Sequence, residues 1–359
     1  MFTTNYNEII AQLNKIDPVA YTRSRNFLDG SVTKLSPYIT HGVFTLPQIR
    51  DAVLANYSFK ESEKLLQELA WREFFRRVWE AKGDEIFTDL RFEQSPVGHL
   101  ALPNALLNAK TTIDVLDTAI TDLYNTGYIH NHARMWIAML ACNVGQAHWR
   151  TPATWLYYHL LDGDLASNSL SWQWVAGAFA SKKYIANQEN INKYSNTLQR
   201  DTYLDISYEA LAECKVPDVL VEHSVLDLAI YIPQGDDVSV DNSKPVLLYH
   251  PWMLNPAWQV DTDAQRILLI EPAMLQRFPM SKQRIDFIMK LARNIKGIQI
   301  LVANFDDTDF KNMGNVVTIE HPLVANWTAI KEDPDYLFPT VEGYFKNFFS
   351  YWKACQKTF

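Results

Sequence analysis

Cysteine is scarce. Cys142, Cys214 and Cys355 lie far apart in a chain of 359 residues and none sits in a CxxC pair, so neither a disulfide framework nor a zinc knuckle is encoded. A reducing, cytoplasmic setting is the compartment this implies. Glycine and proline are also few, at 12 and 16, and with 48% hydrophobic residues they exclude a largely disordered or collagen-like chain. Residues 1–10 lack a basic stretch followed by an apolar run, and no apolar run is long enough to span a bilayer. Secretion and membrane insertion are therefore not expected. No internal repeat, low-complexity tract, GxGxxG fingerprint or phosphate-binding P-loop motif occurs.

What charge there is divides unevenly. The formal net charge of -8 belongs to the second part of the chain: residues 1–200 hold 19 Lys+Arg and 19 Asp+Glu, whereas residues 201–359 hold 14 and 22. A neutral first part can still present a local basic patch, and it is the local field that attracts phosphate. Nucleic acid stays open as a partner.

Hydrophobic spacing predicts a helical region over residues 1–200. Residues 61–79 carry Leu65, Leu69, Phe75 and Trp79 with charges between them, as an amphipathic helix requires. Residues 113–124 repeat the pattern, with Thr112 as the expected cap. Residues 217–244 are polar and turn-rich. Short apolar runs then appear at 246–249, 267–270 and 298–302, which suit strands buried on both faces of a parallel sheet. Residues 281–295, with Ile285, Ile288, Met289 and Ala292 at helical spacing, predict the crossover helix between the last two. Residues 316–319 add a possible strand and 341–355 a closing helix. The expected fold class is α+β multidomain: a helical domain over 1–200, a linker over 201–244, and a smaller α/β domain with a mostly parallel sheet over 245–359.

Four clusters combine residue types that can do chemistry. Asp29-Gly30-Ser31-Val32-Thr33-Lys34-Leu35-Ser36-Pro37-Tyr38, preceded by Tyr21 and Arg25, sets hydroxyls before a Pro-started helix. Such a turn is either a plain N-cap or a cradle for phosphate oxygens. Glu68, Trp71, Arg72 and Phe75 fall at i, i+3, i+4 and i+7, so one helix face offers a carboxylate, a flat ring and a cation. That face is either salt-bridged surface or a recognition surface for a planar, polar ligand. Within Gly127-Tyr128-Ile129-His130-Asn131-His132-Ala133-Arg134-Met135, a helix would set Arg134 on the side of His130 and Asn131. In Asp162-Gly163-Asp164-Leu165-Ala166-Ser167-Asn168-Ser169-Leu170-Ser171-Trp172-Gln173-Trp174, two carboxylates two residues apart require a cation or donors, either its own or a ligand's. No His or third carboxylate stands nearby at ligand spacing, so no metal is assigned.

Taken in order, these motifs resemble the flavin-binding domain of the photolyase/cryptochrome family, over roughly residues 20–195. The resemblance implies that FAD is held by Tyr21, Thr33, Lys34, Leu35, Ser36, Arg134, Asp162, Gly163, Asp164 and Asn168. It implies a substrate cavity of Glu68, Trp71, Asn131, Met135 and Trp174, with Arg25 and Arg72 contacting DNA. Trp172 and Trp149 match the inner and middle members of the family's electron relay. The outer member has no counterpart, and Trp155 or Tyr157 are the candidates to replace it. Family members more often carry Arg where Lys34 stands. Those acting on the other major pyrimidine photoproduct usually have a second histidine where Asn131 stands, which favours the cyclobutane dimer here. The α/β domain that family members normally place ahead of the flavin domain is missing from that position; residues 269–287 weakly resemble it, moved behind, and whether an antenna pigment binds is not legible.

The function this implies is light-driven repair of cyclobutane pyrimidine dimers, a deoxyribodipyrimidine photo-lyase reaction in which excited reduced FAD supplies an electron to a flipped-out dimer. A cryptochrome-like photosensor is the alternative, and a helical interaction protein without cofactor is a third reading. Damaged DNA is the expected partner, with no membrane, and a monomer is the expected state.

Overall fold

The computed structural model describes residues 2–358. They form two compact units built from interleaved segments. One comprises residues up to Pro18, Thr33–Glu73 and the chain from Ala229 onward; the other comprises Val19–Val32 and Phe74–Leu228. The sequence places the boundaries near 200 and 245. Local periodicity reports which face of a helix is apolar but not which distant segment covers it, so the return of residues 33–73 to the sheet-bearing unit was not legible.

The unit of Val19–Val32 and Phe74–Leu228 is helical. Its main helices are Asp114–Thr126, Asn131–Met139, Arg150–His159, Leu165–Ala176 and Gln188–Ser195. They pack their apolar faces around Trp136, Ile137, Leu140, Trp155, Leu156 and Trp172. The expected helix over 113–124 is present, but Thr112 does not cap it. Ile113 holds the cap position with no side-chain bond, Thr112 sits at φ 63°, and the carboxamide of Gln199 accepts the Asp114 N–H at 3.0 Å. A cap supplied from 85 residues away leaves no local signature. Gly127 ends this helix at φ +70°, where a Cβ would meet Leu161 Cγ at 2.6 Å. A short antiparallel ribbon pairs β1 (Leu102–Pro103) with β2 (His223–Ser224). Gln173, between its two tryptophans, is fully buried and closes both hydrogen-bonding ends, donating to Ile86 O at 2.7 Å and accepting from Leu90 N at 3.0 Å.

The other unit is built on a five-stranded parallel sheet of β3 (Val246–Tyr249), β4 (Gln265–Ile270), β5 (Ile298–Val302), β6 (Val316–Ile319) and β7 (Ile330–Glu332), in the order β5-β4-β3-β6-β7. The central run Val246-Leu247-Leu248-Tyr249 is buried along its whole length, as a strand covered on both faces must be. The crossover helix is Lys282–Ala292, capped by the Ser281 hydroxyl at Arg284 N. The turn-rich stretch has a packing role: Asp236 exchanges bonds with Ile300 of edge strand β5 through N–H and carboxylate, and its carboxylate also holds Arg293. This satisfies part of an otherwise open sheet edge. β7 carries no apolar run and was not foreseen. The closing helix is shorter than expected, Phe348–Cys355, because Gly343 turns at φ 85° and Asn347 caps the chain at Ser350 N.

Candidate functional site

Within the helical unit, the turn at Gly127 delivers His130 to the N-cap of the Asn131–Met139 helix. His130 Nδ1 accepts the His132 N–H at 3.1 Å, which puts the ring proton on Nε2. That Nε2 is buried with the Arg25 backbone carbonyl as its acceptor, whereas His132 Nε2 is buried without a partner. Arg134, one turn on, donates its Nε to Ile129 O at 3.1 Å and its Nη2 to both oxygens of Asp162 at 2.9 and 2.8 Å. The Asp162 side chain is only 3% exposed. Tyr128 lies 5.6 Å from the guanidinium, and burial pushes its phenol above its ordinary value.

Both histidines are held below their ordinary range. For His130 burial leads and the Arg134 charge adds to it; for His132 burial, then His130 and Arg25, push the ring down to about 4. The unfolded chain therefore takes up this proton near 6.5, before the folded one does near 4, and stability falls as pH drops through that window. Thermal melts should show His132→Gln losing less stability than wild type between pH 6.5 and 4; parallel pH profiles would dismiss His132 as a contributor.

The second carboxylate is satisfied differently. Asp164 caps the Leu165–Ala176 helix, accepting the Ser167 N–H at 2.7 Å. The close pair Asp162 and Asp164 thus draws on an arginine and a helix N-terminus respectively, and among the described residues no group of His, Cys, Asp or Glu could hold a metal. Gly163 N bonds Leu160 O in the turn between them. Ser167 Oγ is buried with no partner, and Asn168 gives one amide hydrogen to Ala153 O at 2.9 Å, leaving its second donor. Two unpartnered polar atoms, on His132 and Ser167, within this one stretch are what a polar guest would satisfy.

Trp172 and Trp149 are both buried; Trp149 donates its indole N–H to Asp89 at 2.7 Å. Asp89, 60 residues away, was missed because nothing local marks it. Trp155 and Tyr157 are buried as well, so neither offers a surface terminus for an electron relay. Trp174 is 37% exposed and tilts over Tyr184 at 5.9 Å; Asn131 is exposed and Met135 half-buried. Tyr21 ends near Arg25, whose guanidinium stands 6.0 Å from its ring.

The remaining residues singled out lie in the sheet-bearing unit. Thr33 Oγ1 accepts the Leu35 N–H at 3.4 Å, and Lys34 holds the left-handed φ of 54° that a non-glycine residue adopts only under constraint. Leu35 is buried in the core, so only its backbone remains for a ligand. Ser36 begins a helix of five residues, Ser36–Thr40. Glu68, Trp71 and Arg72 share the Phe59–Lys82 helix. Glu68 pairs with Lys64 at 3.1 Å and Arg72 donates to Thr40. One face of Trp71 is covered by Phe348, stacked at 3.7 Å and 9°.

Residues 65–205 match the FAD binding domain of DNA photolyase. A deoxyribodipyrimidine photo-lyase of Synechococcus is 31% identical over 170 residues, covering 44% of this chain and 35% of that protein. A putative mitochondrial cryptochrome DASH of Neurospora crassa is 31% identical over 204 residues, covering 44% and 27%. Among solved structures, a Synechocystis cryptochrome covers 54% of this chain and 44% of its own at 22% identity, with a TM-score of 0.48. The chain thus spans about a third of the length of the curated relatives it matches. Among the described residues no helix is long and apolar enough to cross a membrane. Residues 65–205 are thus similar to the FAD-binding domain of the photolyase/cryptochrome family, the family whose names the matching relatives carry.

Proposed function

We propose that this flavoprotein repairs cyclobutane pyrimidine dimers in DNA under blue light. The observation that carries the reading is the buried Arg134–Asp162 pair, in the same stretch as the unpartnered polar atoms of His132 and Ser167 and inside the region that matches photolyase. Arg134, Asp162, Gly163, Asp164 and Asn168 would hold the isoalloxazine side of FAD. Tyr21, Thr33, Lys34 and Ser36, with the backbone of Leu35, would hold its pyrophosphate. The cofactor supplies light absorption and the transferred electron; the protein supplies orientation and a dry, polar setting. Glu68 would accept from a base edge and Trp71 would stack on a base, and on the helical unit Asn131, Met135 and Trp174 are the residues that would contact the dimer. Arg25 and Arg72 would meet phosphate. Relatives that carry the photo-lyase name support the choice of reaction. Any antenna pigment lies outside this reading, and the protein is proposed to act as a cytoplasmic monomer.

The photosensor is the second reading, and the Phe348 ring on Trp71 favours it, since that ring takes a face on which a base would stack. Stacking of a base on an aromatic ring contributes about 1–3 kcal/mol. On the repair reading, Trp71→Ala weakens binding to dimer-containing duplex by about ten- to a hundredfold and leaves undamaged duplex, held through phosphate, almost unchanged. The measurement is a titration of both duplexes at one fixed salt concentration, followed by a dimer-repair assay under blue light. Equal wild-type affinity for both duplexes with no repair leaves the photosensor.

A further inference from the structure

Asp89 faces the buried Trp149, with three donors or donor-bearing rings turned toward it. Its Oδ1 accepts the Trp149 indole N–H at 2.7 Å, and its Oδ2 accepts the Gln94 N–H at 2.8 Å. His148 Nδ1 accepts from Arg150 N at 3.3 Å, which leaves the ring proton on Nε2, 3.2 Å from the same Asp89 Oδ1. Trp149 is 1% exposed, whereas the side chains of Asp89 and His148 are 19% and 22% exposed. The indole is therefore sealed from water, and its N–H points at a carboxylate that is not.

We propose that Asp89 is the proton acceptor for oxidised Trp149, and that the Asp89–His148 pair ends a relay that has no third tryptophan. This role rests on the reading that Trp172 and Trp149 pass electrons to the flavin. An indole that loses an electron becomes a radical cation, far more acidic at N–H than neutral indole. With photoexcited oxidised flavin as the terminal oxidant, one electron leaves Trp149 for oxidised Trp172. The Trp149 N–H bond then breaks and an O–H bond forms on Asp89, giving a neutral indolyl radical and a carboxylic acid. Charge is conserved at the pair. The reverse electron transfer now has to return a proton as well, so the separated state outlives a bare radical cation. An external thiol restores Trp149 by giving one electron, and Asp89 returns the proton. The bland role for Asp89, satisfying a buried indole donor, predicts none of this.

Transient absorption of the flavin-loaded protein separates the two roles, because cation and neutral indolyl radicals have distinct visible bands. In wild type the cation band should give way to the neutral one, and the conversion should slow in deuterated water. In Asp89→Asn, whose amide oxygen still accepts the N–H but cannot take the proton, the neutral radical should be lost and the cation should recombine. The Trp149 indole resonance in ¹⁵N-tryptophan-labelled protein, far downfield in wild type, should move upfield in the variant without any light. A neutral radical formed at the wild-type rate in Asp89→Asn, or a wild-type radical that stays protonated, overturns the role. If Asp89→Asn does not fold, the solvent isotope effect in wild type decides, with Asp89→Glu expected to keep the neutral radical. Trp172→Phe tests the premise by itself: wild-type photoreduction in that variant removes the relay, whatever Asp89 does.

Discussion

Asp162→Ala should purify with little or no flavin and melt about 10 °C below wild type. The carboxylate is almost wholly buried and receives both contacts from one Arg134 nitrogen, while Arg134 Nε is committed to Ile129 O. Truncation leaves the guanidinium in place with its counter-charge gone, and breaking a buried pair in this way costs about 3–5 kcal/mol. The Arg134 side chain keeps 20% exposure, so water recovers part of that and the lower end is expected. A domain of this size shifts by about 2–4 °C per kcal/mol. Stability and ligand binding can be told apart with a second variant. Arg134→Met/Asp162→Leu removes both charges and should regain most of the melting temperature, yet it should still fail to bind FAD if the pair serves the ligand. Full flavin occupancy in Asp162→Ala, judged by the visible absorbance ratio, with an unchanged melt, would remove the pair from the site.

The contrast between what was and was not legible in the sequence follows from the range of the interactions. The Arg134 and Asp162 residues were read as partners because the motif order resembled a family, and the geometry unites them across 28 residues. Strands β3 to β6 were readable because a sheet covered on both faces requires uninterrupted apolar runs. β7, with the sequence Ile330-Lys331-Glu332, had no such run and owes its place to pairing with β6. Asp89, the cap from Gln199 and the Phe348 ring over Trp71 were all invisible for one reason. Each is a single contact between residues distant along the chain, and spacing rules report only neighbours on one element. Leu35 shows the converse: a residue inside a ligand-like motif whose side chain is core, which leaves only its backbone for a ligand.

Glu73 is the other position where one substitution should be severe. It lies on the Phe59–Lys82 helix, two residues beyond Trp71, and is 2% exposed. Its carboxylate accepts the backbone N–H groups of Leu337 and Phe338 and the Tyr351 hydroxyl, the last at 2.5 Å. Burial, and then the Glu73 charge, push the Tyr351 phenol above its ordinary value, so the hydroxyl stays protonated and keeps donating. Glu73→Ala leaves two buried backbone N–H groups with no acceptor and the Tyr351 hydroxyl with only its Cys355 contact, at about 1–3 kcal/mol for each donor left unsatisfied. A loss of several kcal/mol is expected, and it should be concentrated where residues 337–355 pack. The Phe348–Cys355 helix carries the ring that stacks on Trp71, so its loosening should also change tryptophan emission and admit protease near Phe348. Glu73→Gln retains one acceptor oxygen but turns an N–H₂ toward a donor, and should fall between wild type and Ala. Denaturant unfolding and limited proteolysis measure both effects. If Glu73→Ala unfolds within about 0.5 kcal/mol of wild type, as a surface change would, and leaves the C-terminal helix protected, the clamp is not what holds Phe348 against Trp71. Should it release the helix while dimer-containing DNA binds more tightly, the Phe348 ring and a flipped base compete for the same indole face.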